Sequence, residues 1–382
     1  MNKISPMACI IEKVVAGSQS LSIRWVDGHT SIFHYLWLAD NAPQSLNGRG
    51  QRLHDTTDLP LDIQPQSLYH SSDYGLEISW NQLPQPSHFS TVWLRMHCYT
   101  DQREIPQFSP WPGKGFSFKN FRPEACRPDL PPVHKIGCST DDGDLFQAIR
   151  AVWREGIATV KEDAVEYGTM NRIKQWAKEA GLSKNFGYSC ELESDGRRKT
   201  RSWSSQWWGV HTEHPDWKMV PALIWLPGLS SELPRWDLVM VDGFRIAEDL
   251  RVHHPAAFSL LSSIPVHFQG NMRQEGPAVS RSIIELDEEG AVSGMHFDQR
   301  LIAPFAISPS QMLAYYDAYQ TLGRMLRDPM YQRRFRVLPE ELFLIDNCRM
   351  LHGLAPATVD RHSMTEREHT GIDQPEPCLL EV

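Results

Sequence analysis

The residues best able to do chemistry together lie in two short stretches far apart in the chain. One is Gly209-Val210-His211-Thr212-Glu213-His214-Pro215, the other Asp346-Asn347-Cys348-Arg349-Met350-Leu351-His352-Gly353. In an extended segment residues i and i+2 point the same way, so His211 and Glu213 can face one ion while Thr212 faces away. With His352 they offer two imidazoles and a carboxylate. Such a set holds one face of an iron(II) ion and leaves the other open for a bidentate co-substrate and dioxygen. Oxygen activation is the chemistry this predicts. The same donors suit zinc and hydrolysis. His211 read alone is an ordinary half-buried strand histidine. His296 and Asp298 have the same spacing and compete for the ligand role.

Positioning three such residues needs a well-packed scaffold, and the composition allows one. The chain has 382 residues, 41% hydrophobic and 22% charged, ordinary for a globular protein with room for two domains. A net charge of −9 argues against nucleic acid as a partner, because phosphate binding needs clustered Lys and Arg. Seven scattered cysteines with no CxxC pair read as a reduced chain without a disulfide framework. The N-terminus lacks an apolar run of signal-peptide length, and no stretch approaches the roughly 20 apolar residues of a membrane span. The expected compartment is the cytoplasm, with no membrane partner.

Along the chain, residues 10–15, 21–25 and 31–38 read as three strands separated by turns, with a further pair around Tyr74–Trp80. Residues 106–142 are Pro-rich and irregular, a connection between a small β domain at 1–105 and a larger one at 143–382. The larger region opens with a helix from Asp144, a short strand at 156–160 and a second helix at 168–180. Short strands follow, including Leu238–Phe244, with a helix at 246–251 and a long one from Ser308, where an N-cap serine precedes proline. Many short strands with few helices predict a double-sheet jelly roll. The fold class is mainly β with flanking helices: a double-stranded β-helix plus a small N-terminal β domain.

Several runs resemble one family. Trp25-Val26-Asp27-Gly28, Phe33-His34 and Trp37-Leu38-Ala39-Asp40-Asn41 look like the N-terminal domain of γ-butyrobetaine and trimethyllysine hydroxylases. Val239-Met240-Val241-Asp242-Gly243-Phe244, then Ala247, Leu250-Arg251 and Pro255-Ala256-Ala257-Phe258, resemble a run of the γ-butyrobetaine hydroxylase/taurine dioxygenase superfamily, and Asp346–Gly353 resembles its distal-histidine motif. The resemblance implies iron(II) on His211, Glu213 and His352, with 2-oxoglutarate and dioxygen as co-substrates. Glu213 replaces the usual Asp, one methylene longer but still a hard oxygen donor. The resemblance places His296-Phe297-Asp298 on a strand lining the substrate pocket. The far carboxylate of 2-oxoglutarate would take Arg367, which precedes Gly371 in an R-x-x-x-G pattern, with Arg361 as competitor.

The chain departs from the family in two places. Ala42, Gln44 and Asn47 stand where three zinc-binding cysteines are expected, and His88 is the one remaining potential ligand, too few for structural zinc. In the aromatic cage for a trimethylammonium group, Phe186 and Trp203 keep rings, whereas Cys190 and Asp373 replace a Trp and a Tyr. Asp373 beside two rings would suit an amine able to donate hydrogen bonds; it equally fits a C-terminal tail. The substrate pocket is therefore expected to involve Phe186, Cys190, Trp203, Asp298 and Asp373. The expected activity is hydroxylation of an unactivated C–H bond in a small amine-bearing or zwitterionic molecule, with succinate and carbon dioxide released. Desaturation or cyclisation, and a non-catalytic binding role, are the alternatives. The resemblance also raises a homodimer.

Overall fold

The computed structural model describes residues 9–47, 52–71, 74–100, 135–136, 142–161, 188–189, 209–218, 220–227, 236–269, 279–336 and 341–356. The expected helix at 168–180 and most of the connection at 106–142 lie outside these residues.

In the N-terminal part, Ile11–Ala16, Ser20–Trp25 and Thr30–His34 form one antiparallel sheet, and Pro65–Ser71, Gly75–Trp80 and Ser87–Phe89 another. Alternation puts Leu21, Ile23 and Trp25 on the buried face. The third strand ends at His34 rather than reaching Leu38, because Tyr35–Asp40 is a helix. All six helix residues are buried, so this apolar run had no period-two alternation to separate strand from helix. At the positions where the resemblance implied zinc ligands, Gln44 Nε2 donates to Pro86 O at 2.6 Å and His88 N donates to Gln44 Oε1 at 3.4 Å. The His88 ring lies 3.4 Å from Glu77. A side-chain amide thus ties these two segments together.

The larger, C-terminal part is a double-stranded β-helix. One sheet runs in the order Lys135–Ile136, Ile157–Lys161, Glu341–Asp346, Leu223–Pro227, Tyr188–Ser189, and the other in the order Gln332–Arg336, Trp236–Asp242, Met350–Pro356. Ile157, Ile224, Leu226, Phe343 and Ile345 of the first sheet meet Leu238, Met240 and Met350 of the second in one apolar core. Val239 and Val241 point the opposite way into a larger core. The unbroken apolar run at 238–241 follows, since both faces of that strand are covered. The larger core is continuous from Trp25, Phe33 and Trp37 to Tyr315, Tyr316 and Tyr319 of the long helix Pro309–Arg327. The N-terminal sheets therefore share a core with the C-terminal part. Among the described residues no helix is long and apolar enough to cross a membrane.

The turn at 346–349 aims the His352 strand, and charge holds it. Asp242 caps the helix Gly243–His253 by accepting from the Phe244 and Arg245 amides. It also takes the Arg349 guanidinium, with Nη2 at 2.6 Å and Nε at 3.2 Å from its oxygens. Gly243 N donates to Arg349 O at 2.9 Å. A Cβ at Gly243 would lie 2.8 Å from that oxygen and 2.7 Å from Leu351 Cδ1, which explains the glycine in this run. On the other side of the turn, Asp346 Oδ1 accepts from the Cys348 and Arg349 amides. Burial pushes the Asp346 carboxyl up to about 6, against the pull of Arg349 and these amides.

Two outcomes follow from this turn. Gly243→Ala forces a methyl group against backbone and is expected to cost about 1–3 kcal/mol in denaturant unfolding; a change within about 0.5 kcal/mol would show that the contact can relax. The native state holds the Asp346 proton more tightly than the unfolded chain, whose Asp titrates near ~4. That contribution is complete below about pH 4 and is lost as pH rises through about 6. Asp346→Asn keeps the acceptor without the charge, so its Tm relative to wild type should rise between about pH 4 and about pH 6 and then level off. An offset constant over that range contradicts the assignment.

Candidate metal centre

His211 and His352 meet across an isolated antiparallel bridge, His211 N to His352 O at 2.9 Å and His352 N to His211 O at 3.0 Å. The expected strand through 211–213 is not regular, because side chains replace the ladder beyond this bridge. Asn347 is the main substitute: its Oδ1 accepts from Glu213 N at 2.8 Å, and its Nδ2 donates to Glu213 O and Pro221 O, each at 2.9 Å. Thr212 faces away, as the spacing requires. Its amide donates to Phe297 O and its hydroxyl to Met295 O, both at 2.8 Å. His214 then turns the chain at φ 51°, in the left-handed region, and its ring stacks on Trp217 with centroids 4.1 Å apart.

The result is a convergence of donors. One ligand atom from each of His211, Glu213 and His352 lies within 4.8 Å of the others, and all three residues are buried. Glu213 Oε2 is 3.5 Å from His211 Nε2 and 3.8 Å from His352 Nε2. His211 Nε2 and Glu213 Oε2 are sealed from solvent and make no hydrogen bond. Such orphaned polar atoms are costly without an ion between them. Burial opposes the Glu213 charge, yet the His211 ring 3.5 Å away, with His214 and His352 behind it, holds its carboxyl well below the usual range. Burial, with the nearby His211 charge, pushes His352 down to about 3. An ionised carboxylate beside a neutral imidazole is the protonation state a divalent metal requires. The donor set fits iron(II) bound on one face.

The competing pair is used elsewhere. His296 Nε2 lies 2.8 Å from Glu285 Oε2. Both Asp298 oxygens are taken by Arg300, through Nε at 2.8 Å, Nη2 at 2.6 Å and the backbone amide at 3.0 Å. Among the described residues the one group able to hold a metal is His211, Glu213 and His352. Phe186, Cys190, Trp203, Arg361, Arg367 and Asp373 lie outside the described residues. Sequence reasoning missed the roles of Asn347 and Arg300. The first sat unweighed inside the distal motif, and the second is an acid–arginine pair two residues apart.

The chain is similar to known proteins along most of its length. The family described as taurine catabolism dioxygenase TauD, TfdA family matches residues 184–370, and the γ-butyrobetaine hydroxylase-like N-terminal family matches residues 13–95. A γ-butyrobetaine dioxygenase from Pseudomonas sp. is 29% identical over 94% of this chain and 92% of its own length. A trimethyllysine dioxygenase from Meyerozyma guilliermondii is 24% identical over 92% and 91%. A solved taurine dioxygenase from Burkholderia xenovorans aligns over 62% of this chain and 85% of its own, with 14% identity and a TM-score of 0.42. With both families matched in order along the chain, and relatives aligned over nearly its whole length, the chain belongs to the γ-butyrobetaine hydroxylase-like/taurine dioxygenase superfamily and is a dioxygenase that works with iron(II), 2-oxoglutarate and dioxygen.

Proposed function

We propose that the protein hydroxylates an unactivated C–H bond of a small amine-bearing or zwitterionic substrate, with iron(II) held by His211, Glu213 and His352. The observation that carries the metal assignment is the convergence of three buried donors, two of whose atoms lack any hydrogen bond. The substrate class is supported by relatives named for γ-butyrobetaine and trimethyllysine, both quaternary amines. Phe186 and Trp203 keep rings suited to an ammonium group, and Asp373 adds a carboxylate that pairs with an amine able to donate. Cys190 replaces a ring of that cage, so a substrate other than γ-butyrobetaine is the better fit.

Each residue has a stated part. His211 and His352 bind as neutral imidazoles, and Glu213 offsets one of the two metal charges. Asn347 fixes the Glu213 backbone, so the carboxylate enters the site from one direction. Arg367 would hold the far carboxylate of 2-oxoglutarate. When bound, iron(II) supplies oxidation coupled to decarboxylation of 2-oxoglutarate, one atom of dioxygen entering succinate and the other the substrate C–H bond.

Without oxygen, iron(II) and 2-oxoglutarate should give a visible charge-transfer band in the wild type. His211→Ala, Glu213→Ala and His352→Ala should abolish it, whereas His296→Ala retains it. Loss in His296→Ala alone would move the metal to the other pair. Arg367→Ala should raise the KM for 2-oxoglutarate about 10- to 100-fold, as expected for a lost charge-assisted pair, with Arg361→Ala near wild type; the reverse order would reassign the anchor. A panel of zwitterionic amines and amino acids assayed for substrate-dependent succinate release tests the substrate class, and stimulation only by neutral or purely anionic compounds would contradict it.

A further inference from the structure

A buried arginine joins the N-terminal part to the turn at 298–302. Arg52 is 4% exposed, and its ion-pair partner Asp40 is fully buried. Arg52 Nη2 donates to Asp40 Oδ2 at 3.2 Å and to Asn41 Oδ1 at 2.8 Å. Asp40 is also held by the Thr56 hydroxyl at 2.7 Å, the Tyr316 hydroxyl at 2.9 Å and His54 Nε2 at 3.1 Å. These contacts hold the Asp40 carboxyl well below its usual range in spite of burial. The other arm of the fork crosses into the catalytic part. Arg52 Nη1 donates to Gln299 O at 3.2 Å and also to Ile302 O.

Those two carbonyls bracket Arg300. The turn they belong to begins where Phe297 is hydrogen-bonded to Thr212, between His211 and Glu213. It closes with the Leu301 and Ile302 amides donating to Asp298 O at 3.0 and 3.2 Å. Asp298 holds the Arg300 guanidinium inside this turn through both of its oxygens. The pair thus follows directly on Phe297, the residue that Thr212 binds from its place between the two proposed ligands His211 and Glu213. Removing a cation from such a site favours binding of another cation.

We propose that Arg52 is a positioning residue of the active site: it locks the 298–302 turn, and so fixes the Asp298–Arg300 pair beside His211, Glu213 and His352. The buried Arg52–Asp40 ion pair ties the N-terminal part to this turn. The effect on metal affinity rests on the ligand assignment given above; the effect on the turn does not.

The test is a double-mutant cycle read in two ways on the full chain. The control is Gln320→Leu, which cuts another link between the two parts, from Gln320 Nε2 to Thr56 O and Leu59 O, without touching the turn. By hydrogen exchange, Arg52→Met should speed the Leu301 and Ile302 amides about tenfold or more beyond its loss of global stability, and Gln320→Leu should not. By anaerobic titration of the 2-oxoglutarate complex, Arg300→Met should lower the iron(II) dissociation constant about three- to tenfold. Arg52→Met should lower it in the same direction, and the double variant should add nothing to Arg300→Met. If Arg52→Met does not fold, Arg52→Lys keeps the charge against Asp40 but lacks the planar fork, and should show the faster exchange. Exchange in either folded Arg52 variant no faster than in Gln320→Leu overturns the clamp, as does additivity in the cycle. Absence of iron(II) binding in the wild type sinks the ligand assignment instead, and the exchange result then decides the clamp alone.

Discussion

Two reciprocal backbone hydrogen bonds between His211 and His352 are the constraint on which the site depends. They join segments that are remote in sequence, and nothing local favours their meeting. What brings them together is the scaffold around them. The strand Met350–Pro356 is paired to Trp236–Asp242 with Met240 opposite His352, and Asp242 grips Arg349 at the start of that strand. On the other side Asn347 supplies the hydrogen bonds that a neighbouring strand would have supplied to Glu213. Breaking a buried ion pair such as Asp242–Arg349 costs about 3–5 kcal/mol, so the geometry of the site and the stability of the fold are coupled at this point.

The electrostatics have one direction throughout. Gathering a carboxylate and two imidazoles in a sealed space is unfavourable unless something compensates. Here the histidines keep Glu213 ionised, and burial keeps His352 neutral. Around this centre the other charges are paired off: Asp298 with Arg300, His296 with Glu285, Asp40 with Arg52. At the centre, His211 Nε2 and Glu213 Oε2 make no hydrogen bond, and both belong to residues whose chemistry calls for an ion. Pairing of the rest also explains why His296 and Asp298, identical in spacing to His211 and Glu213, are spoken for.

Much of this was legible in the residues, for identifiable reasons. His211, Glu213 and His352 stand out because imidazole and carboxylate at strand spacing carry a chemical meaning that packing alone does not require. The run Val239–Phe244 could be placed by its resemblance to the family, although the expected strand stops at Asp242, which caps the helix Gly243–His253. The helix Tyr35–Asp40 could not be told from a strand, since every residue in it is buried. Arg52 and Arg300 were missed because a buried arginine looks in sequence like a solvated one. Only tertiary structure shows that Asp40 and Tyr316, far apart in the chain, meet in one network. The role of Asn347 was hidden for a similar reason: an Asn beside an Asp suggests a turn, not a replacement for a missing strand.

The central claim is that one metal ion sits between His211, Glu213 and His352. Anomalous diffraction at the iron edge, from crystals grown without oxygen in iron(II) and 2-oxoglutarate, tests it most directly. The account predicts a single peak about 2.0–2.2 Å from one nitrogen of each histidine and from a Glu213 oxygen, the range for such donors on a divalent transition metal. A peak at His296 and Asp298, or one that leaves any of the three residues uncoordinated, would contradict it.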